Sequence, residues 1–82
     1  MYQIIVSDKA KRQLEKLSSD LRNRIGHALE KIKIRPHNFV LRLVGSPYYR
    51  LRVGDYRVIL DILKDKLVIL VIGVGHRKNI YK

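Results

Sequence analysis

The chain of 82 residues has no cysteine, no tryptophan, two prolines, and 7 acidic side chains against 18 lysines and arginines. Without cysteine there is no disulfide, no thiolate nucleophile and no cysteine-ligated zinc. Carboxylates are too sparse for paired acid–base work, because Glu15 and Glu30, the only glutamates, fall in helical stretches. His27, His37 and His76 lack metal-ligand spacing and an acidic cluster to assist them. P-loop and dinucleotide fingerprints are absent. Ser7, Ser18, Ser19 and Ser46 are accounted for as helix caps and a turn. No apolar run approaches ~18 residues and no signal-peptide pattern opens the chain. We therefore expect a cytoplasmic protein with no membrane contact, no metal and no cofactor.

What is present is a foldable chain with a large charge. A hydrophobic content of 46% is globular rather than disordered. The length allows a single domain spanning residues 1–82. Such a chain buries only roughly 60% of its unfolded surface, so its core has to be compact. The difference 18 − 7 gives a net charge of +11. A field of that size favours a polyanionic partner, either nucleic acid or an acidic protein.

Tyr2-Gln3-Ile4-Ile5-Val6 reads as a first strand. Ser7 or Asp8 can cap a following helix, in which Ala10, Leu14 and Leu17 recur at helical spacing. Ser18-Ser19-Asp20 interrupts it and offers a second cap. Leu21, Ile25, Ala28, Leu29 and Ile32 then mark a longer helix to about Lys33, stopped by Pro36. The short junction predicts an antiparallel helical hairpin. Phe39 to Val44 is ambiguous between a connection and an edge segment. Tyr48–Val53, Tyr56–Leu63 and Leu67–Ile72 read as strands, the last apolar on both faces and so central. The order β-α-α-β-β-β predicts an α+β domain, with the helical hairpin packed on one face of a mainly antiparallel four-stranded sheet.

Gly54-Asp55 is a two-residue turn signal, and its geometry places the arginines. With that loop, Val53 pairs with Tyr56, Arg52 lies opposite Arg57, and Arg50 meets Ile59. Alternation turns Leu51, Val53, Val58 and Leu60 to the helices. Arg50, Arg52 and Arg57 then share the other face, with Asp61 as its only acid. Like charges directly opposite on paired strands cost roughly 0.2–1 kcal/mol, so folding alone gives little reason for the cluster. Guanidinium forks suit phosphate oxygens. The next turn is open at this level. A three-residue loop at Lys64–Lys66 sets Arg57 opposite Gly73, with Gly75 and Arg77 on that side. A two-residue loop brings Val74 and His76 there instead.

Lys11…Leu14-Glu15-Lys16-Leu17, the tract from Tyr49 to Ile59, and Val74-Gly75-His76-Arg77…Tyr81 together resemble the RelE/ParE superfamily of toxins, over nearly the whole chain. The resemblance implies the RelE-like microbial RNase fold. RelE-like members are endoribonucleases that cut mRNA in the ribosomal A site and are held inactive by an antitoxin. ParE-like members share the fold but poison DNA gyrase. The RelE branch carries basic residues at Arg50 and Arg52, arginines at Arg57 and Arg77, and a near-terminal tyrosine at Tyr81, so the resemblance favours the RelE branch. It implies attack of a ribose 2′-hydroxyl on the adjacent 3′-phosphate without a metal. Arg57 would stabilise the phosphate, Arg77 serve the leaving-group side, and Tyr81 orient or deprotonate the 2′-hydroxyl. Arg52 joins this catalytic group, and Arg50, His76 and Lys78 would hold the substrate. Well-studied bacterial relatives have lysines at the positions of Arg50 and Arg52. Arginine keeps its proton, so the base would be Tyr81 or His76, or positioning and charge would act alone. The partners implied are a RelB-like antitoxin, the ribosome with its mRNA, and operator DNA only as a toxin–antitoxin complex. A gyrase inhibitor and a non-catalytic nucleic-acid or antitoxin-binding module are the alternative functions.

Overall fold

The computed structural model describes residues 1–78. Tyr81 and Lys82 lie outside this range, as do Asn79 and Ile80. Strand β1 spans Gln3–Val6, helix α1 Asp8–Glu15 and helix α2 Ser19–Ile32. A 3-10 turn at Pro36–Asn38 leads to β2 (Leu41–Arg42), followed by β3 (Tyr49–Val53), β4 (Tyr56–Leu63) and β5 (Val68–His76). The strands form one sheet in the order β1-β5-β4-β3-β2, with β1 parallel to β5 and every other pair antiparallel. The fold is thus α+β as expected, but the sheet has five strands, not four. The fifth is the ambiguous segment, where Leu41 pairs with Arg50 and Arg42 with Tyr49. Two residues are too few to show an alternating pattern, which is why this edge was not legible as a strand.

Both helices start on serines. Ser7 Oγ accepts from the Ala10 amide at 3.1 Å, and Ser18 Oγ accepts from the Leu21 amide at 3.2 Å. Each satisfies an amide with no partner inside its own helix. Pro36 follows the end of α2 closely, in keeping with its exclusion of helical geometry from the residue before it. On α2, Ile25, Leu29 and Ile32 recur on one stripe and are buried. They complete a single core with Leu51 and Val53 of β3, Val58 and Leu60 of β4, and Ile69 and Val71 of β5. No helix among the described residues is long and apolar enough to cross a membrane.

Helix α1 has a second task. β1 covers the edge of β5 only as far as Val71, where the Ser7 amide donates to the Val71 carbonyl. Beyond that point side chains replace the missing strand. Ser7 Oγ donates to the Ile72 carbonyl at 3.1 Å, and Gln13 Oε1 accepts from the Val74 amide at 2.7 Å. Backbone groups that would otherwise be buried and unpaired are satisfied, and β5 stays extended to His76.

Candidate functional site

The face of the sheet away from the helices is arranged by register. Arg52 lies opposite Arg57 and Arg50 opposite Ile59, as the Gly54-Asp55 turn requires. Gly54 takes φ +59° at the first central position, while Asp55 keeps a negative φ, the pattern of a II′ turn. The β4–β5 connection differs from both loops considered above. Leu63 pairs with Val68 across a four-residue loop, and a bulge between Ile59 and Leu60 shifts the ladder. Arg57 therefore faces Gly75, and Ile59 faces Gly73. A bulge adds one residue to one strand, and here it restores the parity that the even loop would have changed. Gly73, Gly75 and Arg77 consequently keep to the arginine side.

Arg50, Arg52 and Arg57 come together, with Phe39 and Leu41, around a pocket of about 130 Å³. Leu41 is the register partner of Arg50, and β2 continued two residues back sets Phe39 beside Arg52. Among the described residues the lining contains no acid. Arg52 Nε donates to the Gly54 carbonyl at 3.4 Å, which ties that side chain toward the turn. Arg57 is different. Its Nε and Nη1 are buried without a hydrogen-bond partner among the described residues. The only ion pair among those residues is Lys33–Glu30, at 3.0 Å on the helical side, so Asp61 neutralises none of the arginines. A buried guanidinium N–H without an acceptor is costly, and an anion in the pocket would remove that cost. A larger depression of about 590 Å³ lies under the Arg42–Pro47 loop, but among the described residues it is walled by that loop alone and converges no set of charged groups.

The remaining candidates occupy other positions. Arg77 and Lys78 are exposed just past the end of β5 and do not line the pocket. The Arg77 amide donates to the Asp55 carbonyl at 2.9 Å, extending the β4–β5 ladder by one step beyond the Arg57–Gly75 pair. His76 is the register partner of Tyr56, on the face turned toward the helices and not on the arginine face. The two rings meet edge to face at 5.4 Å. His76 Nδ1 accepts from the Lys78 amide at 3.2 Å, which puts the proton of the neutral ring on Nε2. The geometry thus fits His76 to holding the Arg77-Lys78 segment and leaves it apart from the pocket. Tyr81 lies outside the described residues. No group of three or more His, Asp or Glu able to hold a metal ion occurs among the described residues. Sequence reasoning missed Phe39 and Leu41, whose one signal is the alternation of two apolar residues after the Pro36 turn.

Residues 4–81 match the family model described as the ParE toxin of type II toxin–antitoxin system, parDE. A comparison with curated proteins gives no match. Among solved structures, the chain resembles the intact Escherichia coli RelBE toxin–antitoxin complex, with 25% identity and TM-score 0.81, covering 93% of this chain and 96% of the other. It is similar to the archaeal RelE–RelB complex from Pyrococcus horikoshii, with 25% identity and TM-score 0.81, covering 95% and 97%. The RelB–RelE antitoxin–toxin complex from Methanococcus jannaschii is alike at 25% identity and TM-score 0.75, covering 95% of each chain. With the family model spanning almost every residue and RelE toxins matching the whole fold, the chain belongs to the RelE/ParE superfamily of type II toxins, on its RelE-like side.

Proposed function

We propose that this toxin is a metal-independent endoribonuclease that cuts mRNA on the ribosome, in the cytoplasm, and so stops translation. The observation that carries the reading is the Arg57 guanidinium, two of whose nitrogens are buried without a partner among the described residues, in a pocket that Arg50 and Arg52 share. A scissile phosphate there would accept from Arg57, and its charge would grow as the reaction proceeds. The ribose 2′-oxygen bonds to phosphorus, the bond from phosphorus to the 5′-oxygen breaks, and a 2′,3′-cyclic phosphate and a 5′-hydroxyl result. The 2′-hydroxyl proton leaves to a base, for which Tyr81 is the candidate, and the departing 5′-oxygen takes a proton from water. Arginine donors held in a partly dry pocket stabilise the added negative charge without having to reorganise. Arg57 is assigned to the non-bridging oxygens, with Arg52 beside it. Arg50 holds the flanking backbone, and Arg77 and Lys78 the leaving strand.

A RelB-like antitoxin is the proposed partner, since the similar toxins are solved with RelB antitoxins. Operator DNA would be met only by that complex. The experiment is to incubate translating ribosomes with the protein and map the mRNA ends. Cuts within the A-site codon that carry 2′,3′-cyclic phosphates support the reading, and intact mRNA at saturating toxin refutes it. Arg57→Ala and Arg77→Ala are expected to abolish cleavage while antitoxin binding persists. The match to the ParE model favours one other reading, inhibition of DNA gyrase. A supercoiling assay separates the two, because only a gyrase inhibitor would block supercoiling at concentrations that leave mRNA intact.

A further inference from the structure

We propose that Phe39 and Leu41 form a stacking wall for the nucleobase attached to the phosphate held by Arg57, and that this wall gives the site a preference for purines. The inference rests on reading the arginine pocket as a phosphate site. Its own basis is the composition of the pocket, which has two sides of opposite character. Arg50, Arg52 and Arg57 form the floor, and Phe39 and Leu41 form one wall. Both apolar residues are open to solvent, Phe39 at 46% exposure and Leu41 at 62%, so neither is occupied in packing the core. Lys31 Nζ stands 5.8 Å from the centroid of the Phe39 ring, which adds one more cation beside the wall.

An occupant of this pocket has to offer an anion and a flat apolar group side by side. Phe39 and Arg57 lie two strands apart, roughly 10 Å at the usual sheet spacing, and their side chains shorten that span. A nucleotide carries its phosphate and base at about this reach. An acidic peptide would supply the anion but no fixed planar group beside it. The wall side chains have no hydrogen-bond donor or acceptor, so they cannot read a base edge. They select by stacking area, and a purine offers more than a pyrimidine.

The test uses the full chain and trinucleotides with 2′-O-methyl riboses, which block cleavage. One carries adenine at the central position and the other is abasic there. The adenine probe is expected to bind more tightly than the abasic one. Phe39→Ala should weaken the adenine probe about tenfold and leave the abasic probe unchanged, while Phe39→Tyr retains the adenine affinity. Thermal unfolding of Phe39→Ala should match the wild type, given how exposed the ring is. Equal weakening of both probes, or no weakening of either, overturns the proposal. Unchanged RNA affinity with weakened antitoxin binding would also overturn it and give the wall to a protein contact. Failure of the phosphate reading itself has a separate signature, namely abasic-probe binding that is absent or indifferent to Arg57→Ala.

Discussion

Replacing Arg57 by methionine should make the protein more stable and inactive. The substitution keeps an unbranched stem of similar length against β3 and β5 and removes the guanidinium. Two buried nitrogens of that group lack partners among the described residues, and each unsatisfied donor costs about 1–3 kcal/mol. The sum is an upper bound, because the side chain as a whole is only partly buried and other parts of it reach water. Relief of the cross-strand repulsion from Arg52 adds roughly 0.2–1 kcal/mol. Discounting that sum for the exposed part of the side chain leaves a stabilisation of at least about 1 kcal/mol, and each kcal/mol raises the melting temperature of a domain this size by roughly 4–8 °C. Urea unfolding at constant slope would measure it directly. A linked experiment checks the cause. Inorganic pyrophosphate should raise the melting temperature of the wild type by binding the native pocket, and should do so less in Arg57→Met. If Arg57→Met instead loses more than about 1 kcal/mol, the guanidinium is a structural element and the anion-site argument fails.

Other substitutions test how the fold holds the site. Gly54→Ala forces a side chain onto φ +59° and brings its Cβ to 3.3 Å from Arg24 Nη2, so stability should fall by about 1–2 kcal/mol in denaturant unfolding. Leu67 holds φ +53° with its side chain half exposed, and Leu67→Gly should gain up to about 1 kcal/mol, read as a shift in urea midpoint. Gln13→Leu removes the acceptor of the Val74 amide and should cost about 1–3 kcal/mol, with faster hydrogen exchange at that amide. Gln13→Glu keeps the acceptor and should restore slow exchange there.

How far the site was legible depends on the length of each loop and the parity of each strand. The β3–β4 hairpin could be read to the residue, because Gly54-Asp55 admits few turns and period-two alternation then fixes every partner. The same reasoning left the β4–β5 register open between two loops, and the observed partner of Arg57, Gly75, lies two residues from one and one residue from the other. Lys64–Leu67 contains no glycine, and its positive φ falls on Leu67, which carries no turn signal. The bulge was hidden because Leu70, Val71 and Ile72 are all apolar, so either face would accept any of them. Parity survived, and the arginine face with it. β2 was lost for want of length, and Phe39 and Leu41 with it, since they acquire a role only once the edge pairs with β3. That Asp61 makes no ion pair with Arg57 is a matter of side-chain geometry, on which composition is silent.

The net charge of +11 takes on two distinct parts in the folded protein. With Lys33–Glu30 as the only ion pair among the described residues, the other cations on the helices have no carboxylate partner there, and salt screens them within about 10 Å. They supply attraction at a distance and little discrimination, because any polyanion responds to them. Arg57 belongs to the other part. Its buried nitrogens sit where water is partly excluded, so a contact formed there is stronger and less sensitive to salt. A folding chain would gain by exchanging that group for an apolar one. Its presence is understandable if an acceptor arrives with a ligand, so the arginine whose buried nitrogens find no partner among the described residues is the one that best marks the site.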